Sequence, residues 1–431
     1  MSIRIDHLFL TETATRKKRL RIQKFLFAVS RTHTLRRMNK ALIILSIVFN
    51  LACGFGAAAV DRINITDYGA TPNDGTDDTA AINSAVAAGT SIYFPPGSYN
   101  YTGQITVPAH KSYRFYGDGP GVSMILFTGP SAGIYAPTVG ARTFNVDGLT
   151  LEALTGAAGR AIYAAFSNAN KKYRTATIQN VEIRGNTETG NTGGYWTTGI
   201  YLFRARNAVI DKVDISGNTG VTSTGIQWTS LTTVGTTGIQ LTNIEIKFCN
   251  AAIVTSGWVE GFYMSGFEVV LCGTGGQPAL SLASSQSSSP SPAFTLLNGH
   301  VDMIGDGVRM TNLSAIKVSN VDFEHANPVA VDGTHLALTN CIAAIISDNT
   351  FTSQANRIAN ENGVFLTSTN DARVSGNIFR TLKPTQAGSC IVAYTGSSTI
   401  RVTDNIFDFV RQAYDNRIGT SFYYDTDNIV K

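Results

Sequence analysis

A three-residue pattern, apolar–any–apolar, returns along this chain every 20 to 34 residues. It reads Leu149-Thr150-Leu151, Val181-Glu182-Ile183, Val213-Asp214-Ile215, Ile244-Glu245-Ile246, Phe267-Glu268-Val269, Val301-Asp302-Met303 and Val321-Asp322-Phe323, usually after a polar or glycine position. The steps between first residues are 32, 32, 31, 23, 34 and 20. Further on the pattern becomes Asn-x-Phe, beginning at Asn349, Asn377 and Asn405, with both steps 28. Repeats of this length built on short β-type triplets belong to stacked-coil architectures. Helical arrays would show apolar spacings of three and four, and a leucine-rich repeat would show its leucine ladder; neither is present. Unequal steps fit coils whose strands keep register while their turns vary in length. The spacing therefore predicts an all-β solenoid, a parallel β-helix with coils ~4.8 Å apart and one continuous core of alternate, inward side chains. Phe351, Phe379 and Phe407 should stack, and Asn349, Asn377 and Asn405 should form an amide ladder. Forty-one glycines fit short strands interrupted by frequent turns.

A solenoid has open ends that need covering. Asp77, Asp78 and Thr79 are good helix starters and Gly89 a good stop, with Ile82 and Val86 on one face between them. This predicts an N-terminal capping helix, followed by a strand at Ser91-Ile92-Tyr93-Phe94 and a turn at Pro95-Pro96-Gly97. The segments Asp67-Tyr68-Gly69-Ala70, Asn73-Asp74-Gly75-Thr76-Asp77-Asp78-Thr79-Ala80-Ala81-Ile82, Ile92-Tyr93-Phe94-Pro95-Pro96-Gly97-Ser98-Tyr99 and Gly117-Asp118-Gly119 resemble the opening of the pectate-lyase-superfamily β-helix domain. That domain is shared by rhamnogalacturonase- and epimerase-like proteins, exported bacterial proteins and phage tail spikes. The resemblance is strongest over residues 63–128 and extends through the degenerate coils to about residue 410. It implies a single-stranded right-handed parallel β-helix and an affinity for polysaccharide. The opening segment itself is structural and names no reaction.

Charge divides the chain in two. Eleven of the 34 Lys/Arg but only two of the 30 Asp/Glu fall in residues 1–59, so the remainder is acidic by five charges despite the overall +4. The body has no basic run of the kind nucleic-acid binding needs. Met38-Asn39-Lys40, the apolar run Ala41 to Phe49 and the small residues Ala57-Ala58-Ala59 read as a Sec-type export signal with cleavage before Val60 and a true start at Met38. The expected organisation is a leader over 1–59 and one β-helix domain over 60–431, secreted or periplasmic, touching a membrane only through an uncleaved signal, as monomer or homotrimer. Four cysteines remain after cleavage, and Cys249 and Cys272 each fall five residues after their triplet's start. They should stack on adjacent coils, either bonded or as small core thiols. The tract 283–293, rich in Ser and Pro, reads as a mobile excursion. With no CxxC and no His-rich run, no zinc site is expected and no residue is assigned to a metal.

The middle residues Glu182, Asp214, Glu245, Glu268, Asp302 and Asp322 should form one outward acidic column. Like charges at strand spacing repel. Arg184 and Lys247, two positions after Glu182 and Glu245, are placed to offset part of this. The column is either a solvated face or a functional one, the floor of a carbohydrate groove or a calcium site. Glycoside hydrolysis needs two carboxyls about 5 to 9.5 Å apart, and Asp302, Asp322 and Glu324 are the candidates, with Asp302 and Asp322 one coil apart. A lyase needs instead a Lys or Arg base and a cation such as calcium on the uronate, for which Lys317, Arg309 and Lys247 are candidates. The Asn-Thr-Asp, Asp-Asp and Gly-His-Gly set of the family's polygalacturonase-type hydrolases is not matched, since Gly299-His300 is followed by Val301. His300 reads as a turn residue. For sugar stacking and binding the candidates are Tyr195 and Trp196 in a Gly/Thr-rich loop over 187–199, Trp228, Trp258, Arg309 and His325. The expected function is a lyase or glycoside hydrolase on an acidic polysaccharide, with a non-catalytic glycan-binding module as the alternative.

Overall fold

The computed structural model describes residues 62–430 apart from 141, 167–175, 187–192, 219–221, 326–332, 354–360, 381–388, 409, 411 and 418–421. The proposed leader lies outside the described residues. Among the described residues no helix is long and apolar enough to cross a membrane.

The chain winds as a right-handed parallel β-helix of about eleven turns with very little helix. Every strand pairing is parallel and joins a strand to its equivalent in the next coil. Three sheets result. Sheet I includes 208–211, 239–242, 262–265 and 316–319; sheet II continues the same chain after a corner through 213–216, 244–247, 267–270 and 321–324. Sheet III contains Thr224–Thr229, Ala251–Ser256, Leu280–Ala283, Val308–Thr311 and Gly333–Thr339.

The corner between sheets I and II is a single left-handed residue: Gly148, Asn180, Lys212, Asn243, Gly266, Asn298, Asn320, Asp348, Gly376 and Asp404, with φ between 50° and 70°. Only Gly, and to a lesser degree Asn and Asp, adopts that conformation readily. Nine of the ten are of these types, so the corner is written into the sequence just before each triplet.

The triplets stack as the spacing predicts. Leu149, Val181, Val213, Ile244 and Phe267 are register partners in successive coils, all pointing inward. One triplet is displaced. Phe267-Glu268-Val269 pairs with Gly299-His300-Val301, which in turn pairs with Val321-Asp322-Phe323. The sequence pattern selects Val301 because the true inward position is a glycine. A Cβ on Gly299 would run into the Phe267 ring, which reaches across from the coil before. Phe323, Phe351, Phe379 and Phe407 stack with centroids 4.9, 4.8 and 5.1 Å apart and planes within 9°. Asn349, Asn377 and Asn405 form the expected ladder, each donating through Nδ2 to the Oδ1 of the next at 2.9 to 3.0 Å, with Asn428 ending it. Each Oδ1 also accepts the backbone N–H of the preceding rung, so buried amides are satisfied along the stack.

Helix α1 runs Thr79–Ala88 and buries Ile82, Ala85 and Val86 at the N-terminal end of the core. Its N-terminus is tied by Asp77, whose Oδ1 accepts the Thr79 N–H at 3.0 Å. Asp78 instead turns its carboxylate to the backbone of Thr71 and Asn100, fastening the cap to the first coils. All four cysteines of the body are free and buried. Cys249 and Cys272 do stack, the Cys249 N–H donating to the Cys272 sulfur at 3.3 Å, and remain thiols. The Ser/Pro tract is not a free excursion. Ser284 and Ser291 close it with a 2.7 Å hydroxyl pair, Gln286 donates to the Thr232 carbonyl and Asn340 to that of Ser287.

Candidate functional site

Strand alternation decides what faces outward on sheet II. With Val181, Val213, Ile244, Phe267 and Val321 inward, the outward column reads Glu182, Asp214, Glu245, Glu268, His300 and Asp322. The register shift at Gly299 thus puts a histidine where sequence spacing places Asp302. A groove of about 780 Å³ follows the corner between sheets I and II over the later part of this column. Its floor is Glu245, Glu268, His300 and Asp322, and its corner wall is Asn243, Asn298 and Asn320. A smaller hollow of about 420 Å³ continues over Glu182 and Asp214.

The two ends of the column manage their charge differently. At the early end Arg184 pairs with Glu152 and Glu182 at 3.0 Å each, and Lys247 with Asp214 and Glu245 at 3.4 and 3.2 Å. These cations occupy the next outward column, as their offset of two residues requires. Burial pushes the Asp214 carboxyl up, with Lys247 pulling against it. At the later end the bridging group is His300. Its Nδ1 lies 3.9 Å from Glu268 Oε1 and its Nε2 3.9 Å from Glu324 Oε2.

Asp302 is the register partner of Glu324, not of Asp322. The two carboxyls stand on adjacent coils of sheet II, two residues along from the groove-lining His300 and Asp322, and neither is itself among the residues that line the groove. Burial raises the Asp302 carboxyl to about 6, the Glu324 charge adds to the rise, and His300 works against it. Asp302 Oδ1 is buried with no hydrogen-bond partner, whereas the Glu324 side chain is 36% exposed. A carboxyl that holds its proton into mildly acidic pH beside a second, solvent-reaching carboxyl is the asymmetry acid–base catalysis on glycosidic bonds requires.

The remaining sequence candidates are dispersed. Asp322 lines the groove between His300 and Thr350. Lys317 lies on sheet I, between Thr295 and Ile345, and does not line the groove. Arg309 is on sheet III, held by Asp306 at 2.7 Å. Residues 187–192 lie outside the described residues, but Tyr195–Phe203 is a strand rather than part of a projecting loop. Tyr195 is half-buried there, and Trp196 is buried, donating from Nε1 to the carbonyls of Leu151 and Arg184. Trp228 is wholly buried and donates to the Ala205 carbonyl at 3.1 Å. Neither ring offers a face to a sugar. Trp258 is half-buried, its Nε1 on Glu260 at 2.7 Å.

His325 also departs from expectation. It follows Val321 and Phe323 on the inward face and is fully buried, so it cannot bind substrate. Inside the coil it meets His335 and Glu361. His335 Nε2 lies 2.9 Å from His325 Nδ1 and 3.0 Å from Glu361 Oε1, and His325 Nδ1 also contacts Glu361 Oε1. His335 and Glu361 carry no sequence signal of their own. Strict alternation from Val321 was the available clue that His325 points inward.

The sequence profile of the family "Rhamnogalacturonase A/epimerase, pectate lyase-like" matches residues 62–277. Among solved structures, the A-module of mannuronan C-5 epimerase AlgE6 from Azotobacter vinelandii superposes with a TM-score of 0.50 at 16% identity, covering 85% of this chain and 99% of that one. The N-terminal fragment of bacteriophage phi29 gene product 12 superposes with 0.53 at 13% identity, covering 88% and 68%. No curated protein sequence matches the chain. At such identities the structural likenesses carry the fold, while the profile covers half of the sequence, cap helix and early coils included: the chain belongs to the rhamnogalacturonase A/epimerase, pectate-lyase-like family of parallel β-helix proteins.

Proposed function

We propose that this protein is an exported glycoside hydrolase that cleaves polysaccharide along the groove of sheet II, with Asp302 as general acid and Glu324 as its carboxylate partner. The observation that carries this reading is the Asp302 carboxyl, raised to about 6 by burial and by the Glu324 charge on the adjacent coil. Asp302 donates its proton to the glycosidic oxygen as the bond from C1 breaks. Glu324 takes C1 as nucleophile, and water then releases the sugar, the proton returning to Asp302. Coil-to-coil spacing of ~5 Å suits this retaining geometry better than the wider separation an inverting pair needs. Asp322 and His300 line the approach. A lyase is the weaker reading, because Lys317 and Arg309 lie on other sheets and Lys247 is ion-paired at the far end of the column.

The groove also speaks to substrate charge. Glu245, Glu268, Asp322 and Asp348 line it, and no Lys or Arg is among the described residues that do. A neutral glycan enters such a surface without penalty. An acidic one enters only with a divalent cation such as calcium between its carboxylates and these side chains. A panel of neutral and acidic polysaccharides, each with calcium and with chelator, tests this. New reducing ends without unsaturated uronate, lost by about 10²-fold or more in Asp302→Asn and Glu324→Gln, are expected. Unsaturated product, or full activity in both variants, sinks the assignment. Binding without turnover on every polymer would make the chain a glycan-binding module.

A further inference from the structure

We propose that His325, His335 and Glu361 hold a first-row divalent transition-metal ion, of the zinc class, inside the β-helix core. The three residues are no more than 5% exposed, and their donor atoms lie within 4.8 Å of one another. The two imidazole nitrogens and the carboxylate oxygen lie together, with 2.9 and 3.0 Å between His335 Nε2 and the other two donors, which also contact each other. Tetrahedral ligands at about 2.0–2.1 Å from a metal stand roughly 3.3 Å from each other, so the two His335 separations need only a small expansion to take an ion, while His325 Nδ1 and Glu361 Oε1 must part further.

Protons do not account for the arrangement as well. His325 Nε2 lies 2.6 Å from the Gly305 carbonyl, which can only accept, so Nε2 carries the hydrogen and the neutral ring leaves a lone pair on Nδ1. That lone pair faces a carboxylate oxygen and a second imidazole nitrogen. With both rings neutral the His325 lone pair opposes the Glu361 carboxylate, and an imidazolium relieves this only as a buried ion pair with Glu361. A divalent cation satisfies all three together. Metal-ligating histidines commonly donate their other ring N–H to a carbonyl, which fixes ring and tautomer, and His325 Nε2 does so to Gly305. A further donor stands close: Ser353 is the register partner of His325, inward-facing and buried, and its hydroxyl has no partner.

The site has a structural logic separate from the groove. His325 and His335 flank residues 326–332, and Ser353 and Glu361 flank 354–360. An ion here would join the ends of the strands Leu313–His325 and Thr350–Ser353 to the strands Gly333–Thr339 and Glu361–Thr367. It would also fix, from beneath, the strand end that carries Glu324.

The test uses the full chain, unfolded and refolded with Co²⁺ or with chelator, followed by removal of free metal. We expect about one Co²⁺ per chain, visible ligand-field bands, and an apparent melting temperature higher by ~5 °C or more than that of the chelated protein. Glu361→Gln and His335→Gln, checked for fold by far-ultraviolet circular dichroism, should lose the bands and the melting shift. X-ray absorption on the wild-type cobalt protein should find two imidazole ligands, and this decides the matter even if the variants do not fold. Folded wild-type protein that takes up no Co²⁺, a spectrum without imidazole, or unchanged uptake in both variants would overturn the proposal and leave the three side chains as a buried ion pair. None of these readouts depends on activity of the groove.

Discussion

The Asp302 carboxyl is where residue-level physics and function pull in opposite directions. Its folded-state value, about 6, lies above the ordinary 3.8. The folded protein therefore binds more protons than the unfolded chain between roughly pH 4 and 6, and stability contributed by this group falls as pH rises through that window. Below it both states are protonated and the effect vanishes. Asp302→Asn should accordingly raise stability by about 1 kcal/mol at pH 7, after allowing for partial solvent screening, and change little at pH 3. Urea titrations at the two values check this. If Asp302 is the proton donor, the wild-type kcat should fall as pH rises through about 6, and that limb should be missing from the residual activity of Asp302→Asn. A substitution that stabilises the fold while removing activity identifies a functional residue better than either effect alone. Asp302 and Glu324 stand out in the sequence as candidates, Asp302 as the middle of a triplet and Glu324 as the residue after one. That they form a pair was not legible, because the repeat as read from apolar residues slipped by two at Val301.

At the scale of the strand the cause of that slip is Gly299. The left-handed corner residue Asn298 marked the true start, in line with Asn243, Gly266 and Asn320, and outweighs the apolar pattern once the corner's need for Gly, Asn or Asp is recognised. Gly299→Ala should destabilise by about 1–3 kcal/mol because the new methyl meets the Phe267 ring. Adding Phe267→Leu should restore most of the loss; equal loss with and without it would speak against the observed register. The ladder and stack of the later coils were fully legible, since a repeat of 28 residues repeated side-chain types as well as polarity. In Asn377→Ala, Asn349 would lose the acceptor for both its backbone N–H and its Nδ2 at a buried site, an expected cost of about 3 kcal/mol. Solenoid unfolding need not be two-state, so the better measurement is hydrogen exchange. Protection should fall first in the coils around residues 349, 377 and 405 while residues 92–183 keep theirs.

For the whole molecule, the charged start at Met38-Asn39-Lys40, the apolar run Ala41 to Phe49 and the small residues Ala57-Ala58-Ala59 predict export. Protein recovered outside the cytoplasm should begin at Val60, as read by N-terminal sequencing; retention of residues 38–59 would make the apolar run an anchor instead. Sedimentation of that mature protein would separate the monomer from the homotrimer. The sequence by itself determined the solenoid, its capping helix, the stacking of coils and the family, because each depends on local periodicity and on residues with strong backbone preferences. It also marked sheet II as the charged face. Only the tertiary structure decided which column each acidic residue joins, that Trp196, Trp228 and His325 are core rather than surface, and that Arg309 and Lys317 belong to other sheets. A shift of two residues preserves the polarity pattern of a strand while exchanging its neighbours, so where the repeat is irregular the apolar pattern alone does not fix the pairing between coils. The meeting of His325, His335 and Glu361 is of that kind: three residues 10 and 26 apart, brought to one point by the winding alone.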